Sequence, residues 1–378
     1  MQMKNNQIQT ESKEPCIKRR LPLVFKIFFG VCAFSAVLYV IFLFSERFAD
    51  FFNRYISSVI RAVLAHATSW IPFSLAEFIL ILSPIILFAV IRYGLKRYAG
   101  CWRDVFIYCG ALVSVLALVL SIFVMGFAPA YRGTTLDKKL GIERREVSSE
   151  ELYATAEILT EKIREEYGSV YYSDATDFSV MPYDFGEMND KLLAAYDKIC
   201  DKYSFVQNLH SRVKPVMLSE PMSYTHITGV YSFFTGEANI NINFPDYTIP
   251  FTAAHELAHQ RGIAREDEAN FMAFLVCIES DDPYIRYSGY LQLYEYVASS
   301  LAAADSAAYI ENWNSLPLPV QKEIVAFGNF FKKYQNSKVS EVTDKVNDKF
   351  LTSQGTAGTK SYGMVVDLAV AYYIPTTD

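Results

Sequence analysis

The hydrophobic positions of the chain are unevenly distributed: three long apolar stretches lie before residue 131, and shorter amphipathic segments follow. The stretches cover about residues 22–44, 71–91 and 105–128, and a transmembrane helix needs about 20 residues. The second stretch is the weakest because Glu77 lies near its start and Pro84 interrupts it. No small-residue cleavage site follows the first stretch, which argues for a retained anchor. The pattern predicts a membrane module with three transmembrane helices over residues 22–131, after a tail at residues 1–21.

Basic residues predict how these helices are oriented. They are concentrated in the tail and between the second and third stretches, at Lys4, Lys13, Lys18, Arg19, Arg20, Arg92, Lys96, Arg97 and Arg103. Segments rich in Lys and Arg stay in the cytoplasm. We therefore expect a cytoplasmic N-terminus and an extracytoplasmic chain after about residue 128. If the second stretch only lies on the membrane surface, this topology is inverted.

The connector between the first two stretches, at about residues 46–70, carries charged and aromatic residues at helical spacing. One interpretation is a helix that lies along the outer surface of the membrane. The other is a short helix packed on the soluble domain. The sequence alone leaves both open.

The remainder, residues 132–378, predicts a mostly helical domain with a small β-sheet, which is an α+β fold. Helical patterns occur at about 148–167, 187–209, 250–261, 266–279, 284–304, 319–334 and 340–351. Residues Ala238–Asn243 alternate strictly between apolar and polar, which is typical of a half-buried strand. The last apolar segment, residues 361–373, is too short to cross a bilayer and is expected in the core.

The charge of the two parts differs in sign. Up to residue 128 the chain has 13 Lys and Arg against 6 Asp and Glu, whereas the rest has 22 against 35. An acidic soluble domain argues against nucleic acid as a partner. The six cysteines show no CxxC spacing, so a cysteine-based metal site is not expected. Cys200 and Cys277 could pair in an oxidising compartment, but the apolar run around Cys277 favours a buried free thiol.

The most specific chemical signal is the pair His255 and His259. Residues four apart project from one face of a helix, so both imidazoles can bind one Zn²⁺ ion. Pro250 and Gly262 mark the expected start and end of that helix. Glu256 is rotated by about 100° from His255 and flanks the metal. It is therefore the expected catalytic general base, acting on a water molecule that zinc activates.

A catalytic zinc also needs a third protein ligand. The next predicted helix begins with Glu266, and Asn270 lies one turn later on the same face. We expect Glu266 to bind the metal and Asn270 to orient a histidine from behind. Glu268 points about 200° away from Glu266 and is the alternative ligand.

The motif His255-Glu256-Leu257-Ala258-His259, followed by Glu266 and Asn270, resembles that of the gluzincin peptidases. The whole arrangement resembles an uncharacterised bacterial family of three-span membrane proteins with a zincin-like domain outside. Residues 234–239 and 287–290 fit that family as well. Two features depart from thermolysin-like enzymes: Glu266 follows His259 by only seven positions, and Asn270 replaces their usual Asp. The resemblance implies a multi-pass protein of the bacterial cell membrane that hydrolyses a peptide or protein substrate in the cell envelope.

Analogy with zincins also suggests substrate-binding residues. The strand Ala238–Asn243 would be the sheet edge that pairs with an extended peptide, with Asn239 and Asn241 as candidates; an ordinary strand with a solvated Asn face explains it equally well. Candidate donors to a transition-state oxyanion are Tyr224, His226, Tyr287 and Tyr290, and plain packing is the alternative for each.

Two other function classes remain open at this point. One is a membrane sensor or assembly factor whose zinc fold binds a peptide without cutting it. The other is a hydrolase of a non-peptide substrate of the cell envelope. The sequence does not distinguish them from a peptidase.

Overall fold

The computed structural model describes residues 20–335 and 337–375, so most of the predicted cytoplasmic tail, residues 1–19, lies outside the described residues. The helices are α1 (Leu23–Phe44), α2 (Glu46–Phe52), α3 (Ser58–Ser69), α4 (Leu75–Tyr98), α5 (Trp102–Gly126), α6 (Ala128–Arg132), α7 (Leu136–Leu140), α8 (Ser149–Tyr167), α9 (Phe185–Lys202), α10 (Ser219–Ser223), α11 (Thr248–Gln260), α12 (Glu266–Ile278), α13 (Pro283–Ala304), α14 (Ser306–Ser315), α15 (Leu318–Phe331), α16 (Lys338–Ser353) and α17 (Val365–Tyr373). The strands are β1 (Lys214–Pro215), β2 (Gly229–Ser232) and β3 (Glu237–Ile240). A π-helical turn spans Asn53–Ser57, and a 3₁₀ helix spans Gly358–Met364.

Helices α1, α4 and α5 are long and apolar enough to cross a membrane, which confirms the three predicted apolar helices and indicates an integral membrane protein. The second of these three helices, α4, begins at Leu75, four residues later than predicted. Its start is fixed by the carboxylate of Glu237, which accepts hydrogen bonds from the backbone amides of Leu75 (3.0 Å) and Ala76 (2.9 Å). A carboxylate at a helix N-terminus satisfies amides that have no partner within the helix.

The chain forms two compact units. The first contains residues Met1–Phe34 and Ile81–Ser121, and within it the Tyr108 hydroxyl donates a hydrogen bond to the Val90 carbonyl at 2.7 Å. The second contains Ser35–Leu80 and Ile122–Asp378. The last ten residues of α1, the first six of α4 and the last five of α5 therefore belong to the same unit as residues 127–375.

The connector has one buried and one exposed face. Asp50 accepts hydrogen bonds from the backbone and hydroxyl of Thr134 (3.1 and 2.6 Å), and Arg61 is only 2% exposed. The buried face thus packs on the rest of the second unit, as one of the two interpretations expected. On the other face, apolar side chains are exposed, at Phe51, Tyr55, Val59 and Val63.

The core of the second unit is built mainly by α8, α9, α11, α12, α13 and α17. Helix α8 begins with a capping box in which Ser148 and Glu151 bond each other's backbone amides. Helix α17 is buried, as expected for the last apolar segment. Cys277 is buried and Cys200 half-buried, and both are free thiols, so the predicted unpaired Cys277 is confirmed. Helix α14 was not predicted from the sequence.

The sheet has the strand order β1-β3-β2. Strand β3 pairs with β1 in parallel and with β2 in antiparallel orientation, so both of its edges are occupied. The prediction that the segment Ala238–Asn243 is the sheet edge is therefore wrong. The predicted half-buried strand is also wrong, because all four residues of β3 are buried and the strand ends at Ile240. Alternation does not show which neighbours a strand has, and the partner strands of β3 have only two and four residues. Strand β2 is an edge strand instead.

Candidate metal centre

Helix α11 carries the two histidines and is buried along its whole length. It ends at Gln260, and Gly262, two residues later, has a φ of +86°, which favours glycine. A side chain at Gly262 would also collide with the Arg61 guanidinium and with Asn53. The chain can therefore turn sharply at this point and return to the histidines as α12.

Glu266, the first residue of α12, faces both histidines. Its Oε2 lies 3.2 Å from Nε2 of His255 and 3.3 Å from Nε2 of His259. One potential ligand atom from each residue lies within 4.8 Å of the other two. Glu268 points elsewhere, because its carboxylate accepts a hydrogen bond from the Leu136 backbone amide at 3.0 Å. Of the two acidic candidates, the geometry brings only Glu266 to the histidines.

The histidine rings are held in different ways. Nδ1 of His259 lies 2.8 Å from the Ile263 carbonyl, which can only accept, so Nδ1 carries the proton and Nε2 is left as a potential ligand. Nδ1 of His255 is buried without a hydrogen-bond partner.

Asn270 does not orient either ring, contrary to the prediction. Its amide donates a hydrogen bond to the Tyr296 hydroxyl at 3.3 Å, since α13 packs on this side of α12.

Glu256 faces the edge strand β2. A Cβ atom at Gly229 would lie 2.5 Å from Oε1 of Glu256, so this close approach requires glycine. Burial raises the pKa of Glu256 to about 7, and the two histidines and the Tyr231 backbone amide favour its charged form. The carboxylate thus lies between the histidine helix and the free edge of the sheet.

The three clustered side chains are strongly coupled. Burial lowers the pKa of His259, but Glu266 outweighs this effect and raises it to about 9. Burial acts to raise the pKa of Glu266, yet His259 and His255 together hold it well below its usual range. The cluster therefore favours one positive charge next to the Glu266 carboxylate, which a proton or a metal cation can supply.

The four predicted oxyanion donors make other contacts. The Tyr287 hydroxyl donates a hydrogen bond to buried Glu323 at 2.5 Å, and Tyr290 packs its ring against Phe274. Tyr224 packs against Tyr334, and Nε2 of His226 lies 2.9 Å from the Tyr334 carbonyl. Helix α13 thus directs Tyr287 and Tyr290 into the core, whereas Tyr224 and His226 contact Tyr334, which follows α15.

The predicted substrate-strand residues are also placed differently. Asn239 and Asn241 are each only 1% exposed. Their side-chain amides donate hydrogen bonds to the Val230 carbonyl (3.3 Å) and to the Ser223 hydroxyl (3.0 Å). They stabilise the loops around β3 and cannot contact a peptide added at the edge.

Among the described residues, three further aromatic side chains lie near the cluster and were not identified from the sequence. The Phe127 ring lies 6.1 Å from the His259 ring, between centroids. Burial and then the Glu266 carboxylate raise the pKa of Tyr131. Burial, followed by Glu295 and Glu266, raises the pKa of Tyr296 to about 12. The only available signal was the position of Phe127 and Tyr131 directly after an apolar helix, which did not indicate this proximity.

Comparison with known proteins adds the family. Residues 52–370 match a family described as "Protein of unknown function (DUF3810)". The chain belongs to this family. The match covers most of the connector, α4, α5 and nearly all of the second unit, including the histidine cluster. Comparisons with curated proteins and with solved structures found no match. The comparisons therefore assign the chain to the DUF3810 family, but they assign no activity to it.

Proposed function

We propose that this DUF3810 protein is a membrane-anchored zinc metallopeptidase that hydrolyses peptide bonds outside the cytoplasm. The supporting observation is the convergence of His255, His259 and Glu266, with Glu256 placed between them and an open sheet edge. Two imidazole nitrogens and one carboxylate oxygen form a ligand set that is typical of catalytic zinc. The ligand atoms lie close enough together for one ion to contact all three.

Each residue has a distinct role in this proposal. Zn²⁺, when bound, supplies Lewis-acid activation of water and polarises a carbonyl group. His255, His259 and Glu266 hold the ion. Glu256, which is not among the ligands, accepts a proton from the attacking water and returns it to the leaving amine. We also propose that the domain is zincin-like.

The free edge of β2 provides a binding site for an extended peptide. In an antiparallel pair, alternate residues direct their amide and carbonyl groups away from the partner strand, and an added strand can bond to them. The backbone amide of Asn241 donates to the Thr228 carbonyl across the pair with β3, so the backbone groups of Gly229 and Tyr231 point to the free edge. The Tyr231 amide is directed at the Glu256 carboxylate, which leaves the Gly229 amide and carbonyl and the Tyr231 carbonyl for an added strand. A peptide on this edge passes directly beside Glu256.

The location outside the cytoplasm rests on charge. Arg92, Lys96, Arg97 and Arg103 lie at the turn between α4 and α5. By the positive-inside rule we infer that this turn lies in the cytoplasm, and three membrane crossings would then bring the chain that follows α5 to the opposite side.

The test uses the full-length protein purified in detergent, with unstructured casein as substrate. We expect one bound zinc per chain and cleavage that a chelator abolishes. Glu256→Gln should keep the zinc but lose activity by about 10²–10⁴-fold, as removal of a general base does. Glu157→Gln, an exposed position on α8, is the matched control and should behave as wild type.

Two results would contradict the proposal. One is the absence of bound zinc in protein purified with zinc present. The other is a Glu256→Gln variant that cleaves casein as fast as wild type. Zinc binding with no hydrolysis of any peptide by the wild type would instead support a non-catalytic peptide-binding role.

A further inference from the structure

The candidate metal centre lies next to the end of a membrane-spanning helix. Phe127, whose ring contacts His259, directly follows Gly126, the last residue of α5. Arg61 connects the same parts: its guanidinium donates hydrogen bonds to the carbonyls of Gly126 (2.9 Å) and Arg261 (3.5 Å). The turn that follows the histidine helix is therefore fixed directly to the end of α5.

The free edge of β2 extends from the candidate metal centre to the end of α5. Gly229, at one end of β2, touches Glu256. Phe233, immediately after β2, has its ring centroid 5.2 Å from that of Phe123, near the end of α5. A strand advances about 3.3 Å per residue. An extended peptide paired with β2 thus passes from Glu256 to the end of α5 within about four residues.

The connector shows that the second unit faces the bilayer on this side. It joins α1 to α4, so both of its ends continue into membrane-spanning helices. Its exposed face carries an apolar stripe, which we call the connector stripe: Phe51, Tyr55, Val59 and Val63, each at least half exposed. An apolar face on a helix held at the membrane surface enters the boundary between headgroups and acyl chains.

Helix α16 carries a second apolar stripe beside the same helix end. Val339, Val342 and Val346 are more than half exposed, and their spacing of three and four residues aligns them with Phe350 on one side of the helix. The Phe350 ring lies 5.9 Å from the Phe123 ring of α5. Exposed lysines flank the stripe, at Lys338, Lys345 and Lys349. Glu341 and Asp344 are exposed on the same helix, so the apolar stripe and not a net positive charge favours contact with the membrane.

We propose that the substrate is a membrane-anchored polypeptide, bound in extended form along β2 and cut just outside its own membrane-spanning segment. The edge strand joins the reacting position to the membrane surface, so a chain that leaves the bilayer beside α5 enters the site without a further turn. Anchoring in the same bilayer also raises the effective concentration of such a chain. Binding of such a chain along β2 is inferred from the structure alone. Its hydrolysis rests on the proposed function.

The reaction is an ordinary peptide hydrolysis. The water oxygen forms a bond to the scissile carbonyl carbon, the carbon–nitrogen bond breaks, and the nitrogen receives a proton. No oxidant, reductant or further reactant is needed.

The test compares two reporters with the full-length protein in lipid nanodiscs. The first is an unstructured casein segment joined to an apolar span of about 20 residues, and the second is the same segment without the span. We expect the anchored reporter, inserted in the same nanodisc, to be cut at least ~10-fold faster at equal concentration. The cuts, mapped by mass spectrometry, should cluster within about four to eight residues of the span. Equal rates for both reporters, or cuts spread evenly along the anchored one, would overturn the inference.

A binding measurement separates this inference from the proposed function. A photo-crosslinking residue replaces exposed Val230 of β2 in the Glu256→Gln variant, and the control places it at exposed Tyr171. We expect the Val230 position, but not Tyr171, to crosslink the anchored reporter more strongly than the soluble one. Crosslinking without cleavage by zinc-loaded wild type would refute hydrolysis and leave the substrate class standing. Equal crosslinking of the two reporters at Val230 would refute the substrate class.

Discussion

Two groups of buried carboxylates in the second unit differ in the chemical groups that contact them. In the candidate metal centre, Glu266 lies within about 3.3 Å of two imidazole nitrogens. In the other group, Glu323 accepts hydrogen bonds from the backbone amide and hydroxyl of Ser179 (2.7 and 2.6 Å) and from the Tyr287 hydroxyl. Nearby, partly buried Glu295 accepts one from the Tyr247 hydroxyl at 3.2 Å.

The difference appears in the pKa of each carboxyl group. The histidines hold the pKa of Glu266 well below its usual range, although the group is buried. Burial raises the pKa of Glu323, and it raises that of Glu295 to about 8, since their partners are neutral. Burial alone therefore does not mark a functional carboxylate. A carboxylate that faces nitrogen ligands can bind a cation, whereas one that faces hydroxyl groups belongs to a neutral structural network.

The largest expected effect concerns metal binding. Glu266→Gln should weaken zinc binding by more than about 100-fold, because loss of a ligand exceeds the 10–100-fold effect of removing a supporting residue. Glu268→Gln, which keeps an acceptor for the Leu136 amide, should bind zinc as wild type does. Zinc affinity is measured by competition with a chelating dye. If the two variants have equal affinity, the proposed ligand set is wrong.

The second expected effect is on stability. Glu323→Ala should lower the free energy of unfolding by about 2.5 kcal/mol, since it leaves a cavity and buried donors without an acceptor. Denaturant titration of the full-length protein in detergent measures this. Glu323→Gln keeps one acceptor and should cost less, and neither variant should change zinc affinity. A loss of zinc binding by folded Glu323→Gln would show that the two groups of carboxylates are not independent.

The smallest expected effect is a pH dependence from Glu295. Burial raises the pKa of Glu295 from the 4.5 of a free glutamate carboxyl group to about 8 in the folded chain. Between these values the folded state holds a proton that the unfolded state has released, so the contribution of Glu295 to stability falls as pH rises through this window. In the Glu295→Gln variant this decrease in stability with rising pH should be absent. Because the side chain is partly exposed, we expect a difference on the order of 2 kcal/mol.

The measurement compares the free energy of unfolding of wild type and Glu295→Gln at pH values across this window. Glu157→Gln, at an exposed position, serves as the control and should follow the wild-type curve. Parallel curves for wild type and Glu295→Gln would mean that Glu295 is ionised in the folded protein.

The sequence by itself determined the features that depend on local periodicity. Apolar length identified three candidate membrane helices, and the spacing of His255 and His259 placed both rings on one face of a helix. The same reasoning assigned Glu266 to the next helix start and separated Glu256 from the proposed ligands. These conclusions needed no knowledge of distant contacts, because the geometry of one or two helical turns is nearly constant.

Only the tertiary structure decided which elements meet. Alternation in Ala238–Asn243 could not show that β3 lies in the centre of the sheet and that β2 forms one of its two edges. Tyrosine spacing could not show that Tyr287 contacts Glu323 while Tyr296 lies near Glu266. The contact of Phe127 with His259 joins residues that are far apart in the chain. Such contacts depend on how helices pack over the whole unit, and a local pattern does not encode that packing.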